Sequence, residues 1–69
     1  MIYINVSMYQ DKLIEKVSAI DSYNISFVKK DGFNLIFKSD NDEEAAALIK
    51  KTLKSTSEFK TIYFQINVK

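Results

Sequence analysis

Cysteine, histidine, arginine, proline and tryptophan are all missing from this chain, and Gly32 is its single glycine. Each gap removes a class of chemistry. Without Cys there are no disulfides and no thiolate metal sites. Without His the usual proton shuttle and the commonest transition-metal ligand are gone. Without Arg, planar two-pronged recognition of phosphate, carboxylate or guanine is lost, because all ten basic residues are Lys. That bias is read as the codon preference of an AT-rich genome. A lone glycine cannot build a phosphate-cradling loop of the usual form. Residues Met1 to Met8 are apolar but too short for the core of a signal peptide and have no basic stretch before them. No run approaches the length of a membrane span.

What is present describes one small folded domain over residues 1–69. Hydrophobic residues make up 46% of the chain, which argues against disorder. The formal charge of +1 gives no long-range pull toward nucleic acid or anionic membrane. A cytoplasmic location is the default expectation, and neither cofactor nor metal is expected.

The pattern of apolar residues changes period along the chain. Ile2, Ile4 and Val6 alternate with Tyr3, Asn5 and Ser7, as in a half-buried strand. Tyr9, Leu13, Ile14, Val17 and Ile20 then share a helical face, with Ser7 as N-cap and an end near Ser22 to Asn24. Ile25, Phe27, Phe33, Leu35 and Phe37 are the apolar teeth of a hairpin around Lys30-Asp31-Gly32. A two-residue Asp31-Gly32 turn mixes its faces. A three-residue loop with Gly32 left-handed pairs Phe27 with Leu35 and Ile25 with Phe37, and puts all the teeth on one side. Slipping by one residue would expose large side chains worth about 1.5–3 kcal/mol each when buried, so the three-residue loop is expected.

Ser39 to Glu44 is expected to start a second helix, with a capping box of Asp40 with Glu43 or of Asn41 with Glu44. Its stripe is Ala45, Leu48, Ile49, Thr52, Leu53 and Thr56, and acids at the start with lysines toward the end match the helix dipole. Phe59 is expected to fold back onto the core. Ile62, Phe64, Ile66 and Val68 alternate with Tyr63, Gln65 and Asn67 in a last strand.

Four one-faced strands and two one-striped helices pack most economically as two layers. The expected fold is α+β, a ferredoxin-like β-α-β-β-α-β sandwich. Its four-stranded antiparallel sheet has order 4-1-3-2 and carries both helices on one face. The core would hold Ile2, Ile4, Val6, Leu13, Val17, Ile20, Ile25, Phe27, Leu35, Phe37, Leu48, Ile49, Leu53, Ile62, Phe64 and Ile66. The other sheet face would show Tyr3, Asn5, Ser7, Ser26, Val28, Asn34, Ile36, Lys38, Tyr63, Gln65 and Asn67. That set is nearly uncharged and carries two tyrosines, which suits a contact surface as well as a wet face.

Three families with this topology bear comparison. Ile2-Tyr3-Ile4-Asn5 resembles the first-strand motif of RNA-recognition domains, which implies Tyr3 as a base-stacking platform. Lys30 to Phe37 resembles their longer partner motif, but the pairing argument turns Phe33, Leu35 and Phe37 into the core. Small heavy-metal-binding domains share length and element order, but Ser7 to Lys12 lacks their two cysteines. Acylphosphatases share the topology, but their anion-binding Arg has no counterpart. The acidic run Asp40, Asp42, Glu43 and Glu44 has Ala45 where a calcium loop needs Gly, and reads as helix capping. Lys50, Lys51 and Lys54 read as a solvated helix face.

No nucleophile–base pair falls at a spacing that predicts contact, so the chain is not expected to be an enzyme. The expected function is a small protein-binding or regulatory module, an inhibitor of a larger enzyme or a self-associating homodimer. It would act through the open sheet face, with Tyr3, Asn5, Ile36, Tyr63 and Gln65, or through an edge strand. The alternative is a single-stranded nucleic-acid binder using Tyr3 and Tyr63 with Lys30 and Lys38. A third option is a small-molecule regulatory module with ligand at a dimer seam.

Overall fold

A computed structural model describes all residues from Met1 to Lys69. The elements in chain order are β1 (Ile2–Asn5), α1 (Gln10–Ser18), a short 3-10 turn (Ser22–Asn24), β2 (Ser26–Asp31), β3 (Asn34–Lys38), α2 (Asp42–Lys54) and β4 (Gln65–Val68). The strands form one antiparallel sheet in the order β2-β3-β1-β4, with β1 and β3 central.

Parity decides the layers. Ile2 lies opposite Phe37 and Val68, and Ile4 lies opposite Leu35 and Ile66. Ile2, Ile4, Leu35 and Phe37 join Leu13 and Val17 of α1 and Ala45, Ala46, Ile49 and Leu53 of α2 in one buried cluster, with Ile66 packed against it. Both helices therefore cover the same face. Val6 and Ile25 belong to the cluster, and Phe59 folds back into it as expected. Ile20, Leu48, Ile62, Phe64 and Ile66 are only half-buried.

Helix α1 departs from the expected frame at both ends. Val6 continues the ladder past β1 by donating its N–H to the Phe33 carbonyl at 3.0 Å. The chain therefore turns later than Ser7. Tyr9 makes that turn with a left-handed backbone (φ 56°) and accepts the first helical bond from Leu13 N–H at 2.9 Å. No side chain caps this end. Gln10 Nε2 instead donates to the Val6 carbonyl at 2.9 Å. Helix α1 stops at Ser18, and Tyr23 and Asn24 turn the chain with two successive positive φ values. That turn is tied to the residues before α2. Asp40 N–H donates to the Tyr23 carbonyl at 2.8 Å, and Asn24 Nδ2 to Asp40 Oδ2 at 2.6 Å.

The hairpin corrects the expected three-residue loop. Asp31 lies opposite Asn34, so the turn is the two residues Gly32 and Phe33. Gly32 has φ +61° and Phe33 does not share its sign, the pattern of a II′ turn with glycine first. From this tip Lys30 faces Leu35 and Lys29 faces Ile36, whereas further along Phe27 faces Phe37 and Ser26 faces Lys38. Val28 is the extra residue between the two registers, a β-bulge. The bulge restores Phe27 to the helix side, where its ring meets Phe37 edge-on with centroids 5.3 Å apart. Phe33, at the tip, is 61% exposed rather than a core tooth.

Asn41 is the cap of α2. Its Oδ1 accepts from Glu44 N–H at 3.2 Å, and its Nδ2 donates to Glu44 Oε2 at 3.0 Å, which selects the Asn41/Glu44 pairing. Strand β4 begins at Gln65, three residues later than the alternation from Ile62 implies. Because β1 leaves the sheet to enter α1, Ile62 to Phe64 have no ladder partner.

Candidate functional site

The uncovered sheet face is built on β1. Tyr3 lies between Ile36 and Asn67, and Asn5 lies between Asn34 and Gln65. Asn5 Nδ2 donates to Asn34 Oδ1 at 3.2 Å, so two of the amides satisfy each other. Lys69 Nζ stands 5.1 Å from the centroid of the Tyr3 ring, a cation–π distance.

Four of the five expected contact residues, Tyr3, Asn5, Ile36 and Gln65, come together on this face. Ile36 is only 2% exposed, so it supports the surface without projecting from it. Tyr63 is 77% exposed but precedes β4, so no ladder holds it on the face. The turn and bulge make a further correction, placing Lys29 opposite Ile36 where Ser26 was expected. Lys29 and Asp31 thus join the already expected Lys38 on the face, leaving it more charged than alternation suggested.

The two sheet edges differ. All six residues of β2 are exposed, and the strand carries the bulge together with Lys29, Lys30 and Asp31. Bulges and charges are the usual guards of a free edge. Strand β4 has neither, being Gln65-Ile66-Asn67-Val68. Lys69 N–H donates to the Met1 carbonyl at 2.8 Å, so the odd-numbered residues of β4 turn their backbone groups toward β1. The N–H and C=O of Ile66 and Val68 consequently face outward, without a strand to pair with.

Beside that edge runs a groove of about 460 Å³ between β4 and α2. Lys50 and Lys54 form its α2 wall, and Ile62 to Asn67 form the other. No acidic residue lines it. Sequence reasoning treated these lysines as a solvated helix face, because nothing in the helix pattern reports that β4 ends beside them. A second hollow of about 350 Å³ is lined by Lys12, Glu15, Lys16, Ala19 and Glu58. Lys12 there meets Glu58 at 3.6 Å and stands 5.4 Å from the Tyr9 ring centroid.

The acidic run is used locally. Asp42 Oδ1 accepts from the Ser39 hydroxyl at 2.7 Å, and its Oδ2 lies 2.9 Å from the Met1 ammonium. The Ser39 hydrogen bond, then the ammonium, hold the Asp42 carboxyl below its ordinary value of 3.8. Asp40 meets Asn24 and Glu44 meets Asn41. No three His, Cys, Asp or Glu side chains gather where a metal ion would be held. No helix is long and apolar enough to cross a membrane.

These features define a two-layer α+β domain with one guarded and one unguarded sheet edge. Compared with known proteins, the chain matches no protein family, no curated protein and no solved structure.

Proposed function

We propose that this ferredoxin-like sandwich is a non-catalytic, cytoplasmic protein-binding or regulatory module that engages its partner at the β4 edge and the adjoining open face. The edge asymmetry carries the reading. A domain that avoids strand pairing guards both edges, whereas here a bulge and three charges protect β2 and nothing protects β4. Outward backbone groups supply affinity in strand addition, and the side chains alternating beside them supply selectivity. Tyr3 and Gln65 extend the contact onto the face, and Asn5 holds Asn34 in place beneath it.

The test is association of wild type compared with Val68→Pro and with Tyr3→Ser/Tyr63→Ser, using light scattering over a concentration series and capture of a candidate partner. Proline at Val68 deletes an outward donor and leaves the bonds to β1 intact. Both variants should keep native circular dichroism and lose association. Association unchanged in both removes the reading.

A single-stranded nucleic-acid binder is the second reading, favoured by Lys29, Lys38 and Lys69 around Tyr3. It is weaker because Lys69 already covers the Tyr3 ring and Ile36 stands where a second stacking ring belongs. Absence of any shift of mixed oligonucleotides at low salt excludes it.

A further inference from the structure

We infer that the groove between β4 and α2 takes an extended acidic segment of a partner protein, added to the sheet as a fifth strand. The inference rests on the protein-binding reading above and names the chemistry of its ligand. Three observations converge on it. The outward N–H and C=O of Ile66 and Val68 offer a peptide backbone its hydrogen bonds. Half-buried Ile62, Phe64 and Ile66 give that peptide an apolar floor on the helix side of the edge. Lys50 and Lys54, one helical turn apart on the groove's other wall, give it a fixed pair of positive charges.

The fold does not explain the pairing of these two lysines on one wall. Like charges at i and i+4 oppose helix formation by about 0.2–0.5 kcal/mol. Neither ammonium has an ion-pair partner in the fold, where the only bridges are Met1–Asp42 and Lys12–Glu58. The helix dipole accounts for Lys51 and Lys54 in the last turn of α2, but Lys50 lies before it. An acidic strand in the groove would satisfy both charges. A second copy of this chain fits less well. The segment from Phe59 to Lys69 holds Lys60 and Lys69 and no acid, so two β4 edges would bring like charges together.

The experiment titrates the full chain with two labelled peptides, one alternating Glu and Val and one alternating Lys and Val, while backbone amide shifts are followed by NMR. The Glu/Val peptide should shift the amides of β4 together with those of Lys50 and Lys54, and should bind less tightly as salt is added. The neutralised variant Lys50→Gln/Lys54→Gln, whose changes lie on exposed positions, should bind it about tenfold more weakly with unchanged circular dichroism. The Lys/Val peptide should not bind. Equal binding of both peptides, or undiminished binding by the Gln variant, overturns the acidic ligand while the protein-binding reading stands. Shifts confined to the face around Tyr3 overturn the groove as its location. Failure of both peptides, with self-association abolished by Val68→Pro, assigns the edge to a second copy. Failure of both peptides by a strict monomer overturns the groove and, unless the captured partner binds, the wider reading too.

Discussion

Asp42 occupies the first turn of α2, where a carboxylate meets the positive end of the helix, the Ser39 hydroxyl and the Met1 ammonium. These contacts hold its folded pKa below the ordinary 3.8, so the ionised form stabilises the fold above that value. The contribution is lost as pH falls from 3.8 through the lowered folded value. Urea unfolding measured from near-neutral into acid pH should therefore show a smaller acid loss in Asp42→Asn than in wild type. Gly32 is a second position where one residue type matters. No atom lies within 4 Å of a methyl group placed on it, so its φ of +61° is the whole constraint. Gly32→Ala should destabilise the protein by about 1 kcal/mol through backbone strain alone, read as a lower urea midpoint with an unchanged slope.

At the scale of elements, the bulge at Val28 sets both the register and the character of the β2 edge. Removing Val28 joins Phe27 opposite Phe37 directly to Lys29 opposite Ile36, which is a regular ladder with every parity kept. The deletion should fold, and its straightened edge should self-associate more than wild type in light scattering at equal concentration. Strict alternation could not reveal this device. Across a two-residue turn, Ile25, Phe27, Leu35 and Phe37 share one face only if the hairpin carries one extra residue. The three-residue loop was the sequence's way of absorbing one at the tip. The fold places it mid-strand instead. Strand β1 was legible from its period of two, and β3 because the apolar run Leu35-Ile36-Phe37 follows a glycine turn and is bounded by polar Asn34 and Lys38. The left-handed turn at Tyr9 was not, since a tyrosine does not announce positive φ as glycine or asparagine does. The start of β4 was misplaced because pairing depends on where β1 leaves the sheet, a tertiary fact. For the same reason Tyr3, Asn5, Ile36 and Gln65 could be assigned to one face, while Tyr63 and the Lys50–Lys54 wall could not.

At the scale of the whole molecule, one buried cluster joins strands and both helices, so the layers should melt together. Phe37 is fully buried at the centre of the sheet. Phe37→Ala should cost about 3–5 kcal/mol. A chain of this size has a total stability of roughly 3–10 kcal/mol. Most of the thermal transition should consequently be lost, with sheet and helix signals disappearing together in circular dichroism.

The backbone pairing of Met1 with Lys69 has one more consequence. A short linker joining these neighbours, with the chain reopened between Gly32 and Phe33, would run β3-α2-β4-β1-α1-β2. That string is again strand, helix, strand, strand, helix, strand, and renumbering it along the unchanged sheet returns the same neighbours. The topology maps onto itself under circular permutation, as a pseudo-twofold arrangement of two interlocked β-α-β halves. The permuted protein should give a native-like amide spectrum away from the new junction, with the halves exchanging their order of synthesis.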